Sequence, residues 1–287
     1  MSRETQQWKI GDVIVTQVVE LTQTQNLSWL LPAATPEAVR GVPWLAPEFA
    51  DERGYGKLSV HALIVESRGR RIVVDTCIGN DKSLPGMDFW SGMQSSFLAD
   101  LAAAGTPAES VDAVVCTHLH VDHVGWNTRK QGDRWVPTFP RARYLWCRAE
   151  YDYWNATEEP LYRAIMSESV RPVFDAGQVD LVEPDHAVTD EVRLESTPGH
   201  TPGHVSVHIR SRGEEAIVTG DFVHHPVQCA HPEWSSRFDW DAAQGIETRR
   251  RFFAQYADRP VLIIGTHFAG VTAGRLVRDG SAWRLEA

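Results

Sequence analysis

A chain of 287 residues with 43% hydrophobic and 23% charged residues can bury a large core and needs no disulfide or metal merely to fold. Its formal net charge of −10 argues against a nucleic-acid partner gripped through its phosphates, and no apolar run approaches the ~18 residues of a membrane span. The polar opening MSRETQQWKIGD lacks the apolar stretch of a signal peptide, so the expected compartment is the cytoplasm.

In chain order, the β-branched stretch 12–21 predicts a strand, and 58–66 with 71–76 predicts a hairpin across Ser67-Arg68-Gly69-Arg70. Met93, Phe97, Leu98 and Leu101 recur at helical spacing over 93–104, which stops at Gly105; the short apolar run 111–116 follows as a buried strand. The aromatic-rich stretch 148–175 reads as helical. Short strands return at 178–183, 192–197, 204–210 and 215–219, before a helix at 241–257, a strand at 260–264 and a final strand pair. Strands in both halves, each with helices, point to two sheets with helices outside, in one domain over 1–287.

Two segments are apolar but broken by proline and glycine. Residues 22–57 hold Trp29, Leu30, Leu31, Trp44, Leu45 and Phe49, and residues 79–92 hold Phe89 and Trp90. Both are expected to form substrate-covering loops, with packing on the core or an oligomer interface as the alternative. The cysteines Cys77, Cys116, Cys147 and Cys229 are widely spaced without a C-x-x-C pair, so they read as free buried thiols.

The run CTHLHVDHVG places His118, His120, Asp122 and His123 within a few positions after the strand 111–116. Histidines two apart on an extended segment can turn to one side and grip one ion, while Asp122 and His123 would point to a neighbouring position. Later strands repeat the arrangement: His200 follows the strand 192–197, Asp221 the strand 215–219, and His267 the strand 260–264, each with a glycine one or two residues before it. A closed structural zinc site would use four ligands, often cysteines. Seven candidate ligands without cysteine do not fit that closed site, and histidine plus carboxylate suits zinc by preference, with Mn²⁺, Co²⁺ or Fe²⁺ also compatible.

The H-x-H-x-D-H run followed by His200, Asp221 and His267 resembles the metallo-β-lactamase superfamily over roughly residues 58–275. The resemblance implies an α/β (α+β, four-layer) fold, an αβ/βα sandwich of two mixed β-sheets flanked by helices. It further implies two Zn²⁺ per chain: one on His118, His120 and His200, the other on Asp122, His123 and His267, with Asp221 bridging. Asp75 matches a family aspartate and is expected to orient the histidine loop; His204 resembles a supporting histidine.

Within that superfamily the resemblance favours the lactonase and methyl parathion hydrolase branch. His120 stands where redox members carry glutamate, and too little chain follows His267 for a thioesterase's helical, basic region. The implied activity is hydrolysis of a lactone or other carboxylic ester by a metal-bridging hydroxide. Organophosphate triester or aryl-ester hydrolysis is the alternative, with a thioesterase or a metal-binding redox role behind it. Lactonases of this branch commonly carry tyrosine three residues after the bridging aspartate; here that position is His224. The catalytic candidates are Asp122, Asp221 and His224. The substrate-binding candidates are His224, His225, Phe89, Trp90, Trp29 and Trp154. The expected partners are a small-molecule ester or lactone and a second copy in a homodimer, with neither nucleic acid nor membrane.

Overall fold

A computed structural model describes residues 5–287. The strands, in order, are β1 (Gln7–Ile10), β2 (Val13–Gln25), β3 (Gly56–Ser67), β4 (Arg70–Val74), β5 (Ala113–Val115), β6 (Thr128–Gln131), β7 (Arg134–Pro137), β8 (Arg143–Cys147), β9 (Val179–Val182), β10 (Val192–Ser196), β11 (Val205–Ser211), β12 (Glu214–Val218), β13 (Val261–Ile264), β14 (Ala273–Asp279) and β15 (Ala282–Glu286). The helices are α1 (Pro36–Arg40), α2 (Phe97–Ala103), α3 (Val121–Val124), α4 (Arg148–Asn155), α5 (Pro160–Ile165), α6 (Arg171–Asp175), α7 (Val227–Ala230) and α8 (Ala242–Tyr256). This is the expected mixed α/β class.

The chain divides into two compact units. The first runs to Glu20 and resumes over Val60–Glu183; the second comprises Leu21–Ser59 and Pro184–Ala287. A seven-stranded sheet, ordered β1-β2-β3-β4-β5-β8-β9, carries the first unit, and a six-stranded sheet, β10 to β15 in sequence order, carries the second. Both sheets are mixed. β4, β5, β8 and β9 run parallel, as do β12 and β13, while the hairpins are antiparallel. The parallel strands are short apolar runs such as AVV and VLII, as expected of strands covered on both faces.

In the second unit, α8 starts where the Asp241 side chain accepts the Gln244 N–H and buries Gly245, Thr248, Arg249, Phe252, Phe253 and Tyr256 at helical spacing. Its apolar face meets Ile217, Ile263, Leu276 and Leu285 in one core cluster. The apolar side chains of the segment 22–57 pack on that core, the alternative given for it above. Leu27, Leu31, Leu45 and Phe49 are buried in the same cluster, and Trp29 and Trp44 pack against it. The prolines prevent a long helix, but short turns and α1 still bring these side chains inward.

Other differences have local causes. The helix expected over 93–104 begins only at Phe97, because Gln94 and Ser95 bond Asp81, Asn80 and Glu20 instead of continuing a helical ladder. The hairpin β6–β7 and strand β8 were not anticipated. The first turns at Gln131-Gly132-Asp133-Arg134, where Gly132 has φ 61°, a recognisable hairpin signal. The second, RYLWC, is only five residues long and runs straight into α4, so no turn signal separates it from the helical stretch that begins at 148. All four cysteines are free and buried.

Candidate metal centre

In the first unit the chain leaves β5, passes through Cys116 to His120 and enters α3. Buried Asp75 organises this loop. Its Oδ1 accepts the Thr117 N–H (2.7 Å), and its Oδ2 accepts the Thr117 hydroxyl (2.9 Å) and faces His123 Nδ1 at 2.8 Å. With its proton given to Asp75, the Thr117 oxygen accepts from His118 Nδ1 at 3.0 Å. Both imidazoles are thereby fixed with the proton on Nδ1, so Nε2 is the nitrogen each would offer to a metal. The His118 ring centroid lies 4.6 Å from that of His120 and 4.0 Å from that of His123, and Asp122 Oδ1 is 3.7 Å from His123 Nε2. The expected role of Asp75 thus has a geometric basis.

A second carboxylate, which the sequence did not single out, anchors the middle of the loop. Glu150 is 1% exposed, and its Oε1 accepts the Leu119 N–H (3.0 Å) and Trp154 Nε1–H (2.6 Å). Trp154 stacks on Tyr162 at 3.8 Å, and both rings lie beside His120 at 5.3 and 5.6 Å. At the end of α3, Gly125 is required by close packing: a Cβ there would fall 1.7 Å from the Ile78 carbonyl oxygen.

In the second unit, His200, Asp221 and His224 present ligand atoms that all lie within 4.8 Å of one another. The Asp221 Oδ2 atom has His267 Nε2 at 3.2 Å, His224 Nε2 at 3.3 Å and His200 Nε2 at 3.7 Å. His267 Nδ1 donates to the Ser59 carbonyl (2.8 Å) and His200 Nδ1 to the Asp239 carboxylate (2.8 Å), so in the neutral rings both Nε2 atoms are lone pairs facing a carboxylate lone pair. Such a convergence of acceptors is repulsive unless positive charge sits among them, and it is the donor set that a divalent ion requires. The residues therefore fit a metal.

Asp221 is held from outside. His204 Nε2 accepts its backbone N–H (2.7 Å), leaving His204 Nδ1–H for Thr197 Oγ1 (2.9 Å), and the Thr266 hydroxyl donates to Asp221 Oδ1 (3.1 Å). With both nitrogens committed, His204 is the expected support. Fully buried Arg249 donates to the Phe222 and Pro232 carbonyls (2.8 and 2.7 Å); burial lowers its pKa to about 10.

The substrate-binding candidates fare unequally. His225 must be corrected: it is 0% exposed, donates through Nε2 to the Phe49 carbonyl (2.8 Å) and accepts the Val227 N–H at Nδ1 (3.1 Å). Burial lowers its pKa to about 4, so it is a neutral core residue. Trp29 packs on Phe238 at 5.5 Å within the second unit's core, and Trp90 is 8% exposed beneath Phe89, which is 55% exposed. His224 is 2% exposed with its Nδ1 buried and unmatched by any hydrogen-bond partner among the described residues.

The profile of the Metallo-beta-lactamase superfamily matches residues 55–254. The chain belongs to this superfamily. An N-acyl homoserine lactonase from a Bacillus species is 31% identical over 111 residues, 39% of this chain and 38% of that protein; one from Bacillus cereus is 30% identical over a stretch of the same length. The matched stretch thus spans well under half of these relatives. Among solved structures, AidC, a dizinc quorum-quenching lactonase, superposes with a TM-score of 0.82 at 19% identity, covering 98% of this chain and 96% of its own. The hydrolase AbOPH superposes with a TM-score of 0.78 at 23% identity, covering 99% of this chain and 97% of its own. These likenesses establish the metallo-β-lactamase fold across nearly the whole chain. No helix among the described residues is long and apolar enough to cross a membrane.

Proposed function

We propose that the two ligand sets form one dinuclear centre and that the chain is a metal-dependent hydrolase of lactones or related carboxylic esters. The observation that carries this is the convergence of committed imidazoles on Asp221, together with the His118–His123 loop whose rings are fixed in the same tautomer. The lactonase relatives, similar over part of their length, support the substrate class. In this reading His118, His120 and His200 hold one ion, Asp122, His123 and His267 the other, and Asp221 both. An all-histidine and carboxylate set suits Zn²⁺.

Divalent ions so held supply Lewis acidity towards a carbonyl oxygen and lower the pKa of water to near neutrality. The chain supplies orientation and proton handling. Asp75, Thr117, Ser59 and Asp239 keep the histidines in the ligating tautomer. His224, in contact with Asp221 and with an unmatched Nδ1, is placed to donate a hydrogen bond or a proton to the leaving oxygen, as is Asp122. Exposed Phe89, on the loop 79–92, is the aromatic of that segment able to meet an apolar part of a substrate, and Trp154 lies beside His120.

The test is elemental analysis followed by a panel of lactones, aryl esters and phosphotriesters on zinc-loaded protein, with Asp221→Ala as blank. Two zinc per chain and lactone or ester turnover are expected; iron with oxygen-dependent turnover, or no hydrolysis of any panel member, would refute the assignment. His224→Ala is expected to lower kcat ~100-fold while both ions stay bound. Loss of an ion would make His224 a ligand instead.

A further inference from the structure

The Asp239 side chain is 1% exposed, as buried as that of the His200 it touches at 2%. Its Oδ1 meets His200 Nδ1 at 2.8 Å and its Oδ2 accepts the Ser236 N–H at 3.0 Å. Taking a carboxylate out of water is costly; the buried Arg249 guanidinium offsets part of that cost at a distance, and the group in direct contact is the imidazole, which compensates best when it binds a cation through its other nitrogen. The surrounding backbone keeps the pair in register. Trp240 N–H donates to the His200 carbonyl and Asp241 N–H to the Gly199 carbonyl, each at 2.9 Å, while the Thr248 hydroxyl donates to the Pro198 carbonyl at 2.7 Å. Gly199, at φ 129°, lies so close to the start of α8 that a Cβ would sit 2.3 Å from Gly245 N. The TPGH turn and the stretch before α8 therefore form one clip, with the His200–Asp239 bond at its centre.

We infer that Asp239 is a positioning residue for metal binding. Resting on the dinuclear reading above, it holds His200 with the proton on Nδ1 and strengthens Nε2 as a donor, thereby setting affinity for the ion that His200 holds and leaving the Asp122–His123–His267 ion alone. A merely structural clip predicts otherwise: lost stability with metal affinity unchanged. Thr248→Val separates the two, because it cuts a neighbouring hydrogen bond of the same clip without touching His200.

The experiment is competition of zinc-loaded protein with a chromophoric chelator, for wild type, Asp239→Ala, Asp239→Asn and Thr248→Val, with kcat and KM measured alongside. Asp239→Ala is expected to weaken one of the two zinc ions ~10–100-fold and leave the other unchanged, with kcat falling more than KM rises. Asp239→Asn, which keeps an acceptor oxygen but not the charge, is expected to weaken the same ion less, and Thr248→Val to keep both. Wild-type affinity for both ions in Asp239→Ala overturns the assignment, as does an equal loss in Thr248→Val. Should the alanine variant not fold, unchanged affinity in Asp239→Asn overturns it. Wild-type protein that binds no divalent ion would defeat the dinuclear reading and this one with it, whereas two tight ions in every variant defeats this one alone.

Discussion

In the first unit His118, His120, Asp122 and His123 come from one continuous stretch, the loop after β5 and the helix α3 that follows it, and buried Asp75 braces Thr117, His118 and His123 together. In the second unit His200, Asp221 and His267 come from three loops, after β10, β12 and β13, and each has its own brace: Asp239, His204 and the Ser59 carbonyl. A contiguous motif shares one support, so one lost carboxylate disturbs several ligands. A dispersed set spreads its supports, so damage stays with one ligand. The two arrangements reach the same tautomer by different routes.

The largest expected effect comes from the residue that the second unit's histidines share. Asp221→Ala is expected to lower kcat/KM at least ~10³-fold, about 4 kcal/mol of barrier, with zinc content below two per chain by elemental analysis. Asp75→Ala should come next, weakening both ions about 100-fold in chelator competition. If it weakened only one, as Asp239→Ala is expected to, the contrast between shared and separate supports would fail.

Away from the ligands the effects fall on stability. His225→Ala removes two hydrogen bonds and buried volume, at about 2–4 kcal/mol by denaturant unfolding. Between pH 6.5 and about 4 the unfolded chain takes up a proton at His225 that the folded chain refuses, so stability from this group falls as pH falls through that window; the variant lacks that component. Lys82 works in the alkaline range. It is 2% exposed, donates to Thr128 Oγ1 (2.6 Å) and sits 3.7 Å from the Trp135 ring centroid, and burial lowers its pKa from 10.5 to about 7. The folded chain releases this proton first, so stability rises with pH from about 7 to 10.5, and Lys82→Met should flatten that rise. The smallest change is expected of exposed Phe89→Ala: less than about 0.5 kcal/mol in stability, with any kinetic effect confined to KM.

What could be read from the sequence follows the same division. The strands β10 to β13 and α8 were legible because apolar periodicity marked them, and the candidate ligand residues stood out because each follows such a run. Asp239 and Glu150 were not legible: each supports a ligand loop far away in sequence, and a buried carboxylate looks the same in a sequence as a solvated one. His225 misled for the converse reason. Proximity to Asp221 in sequence suggested a place at the metals, but its ring turns into the core to meet Phe49. The segment 22–57 stayed undecided in the sequence because broken apolar runs suit a covering loop and a core filler equally, and only the structure shows its side chains buried.

The four buried thiols offer a chemical clock for the two units. Burial raises the pKa of each, that of Cys229 to about 12, so the folded protein should resist alkylation at neutral pH. Cys77, Cys116 and Cys147 lie in the first unit and Cys229 in the second. Mass-resolved labelling under rising denaturant would therefore record which unit opens first, without a probe being introduced.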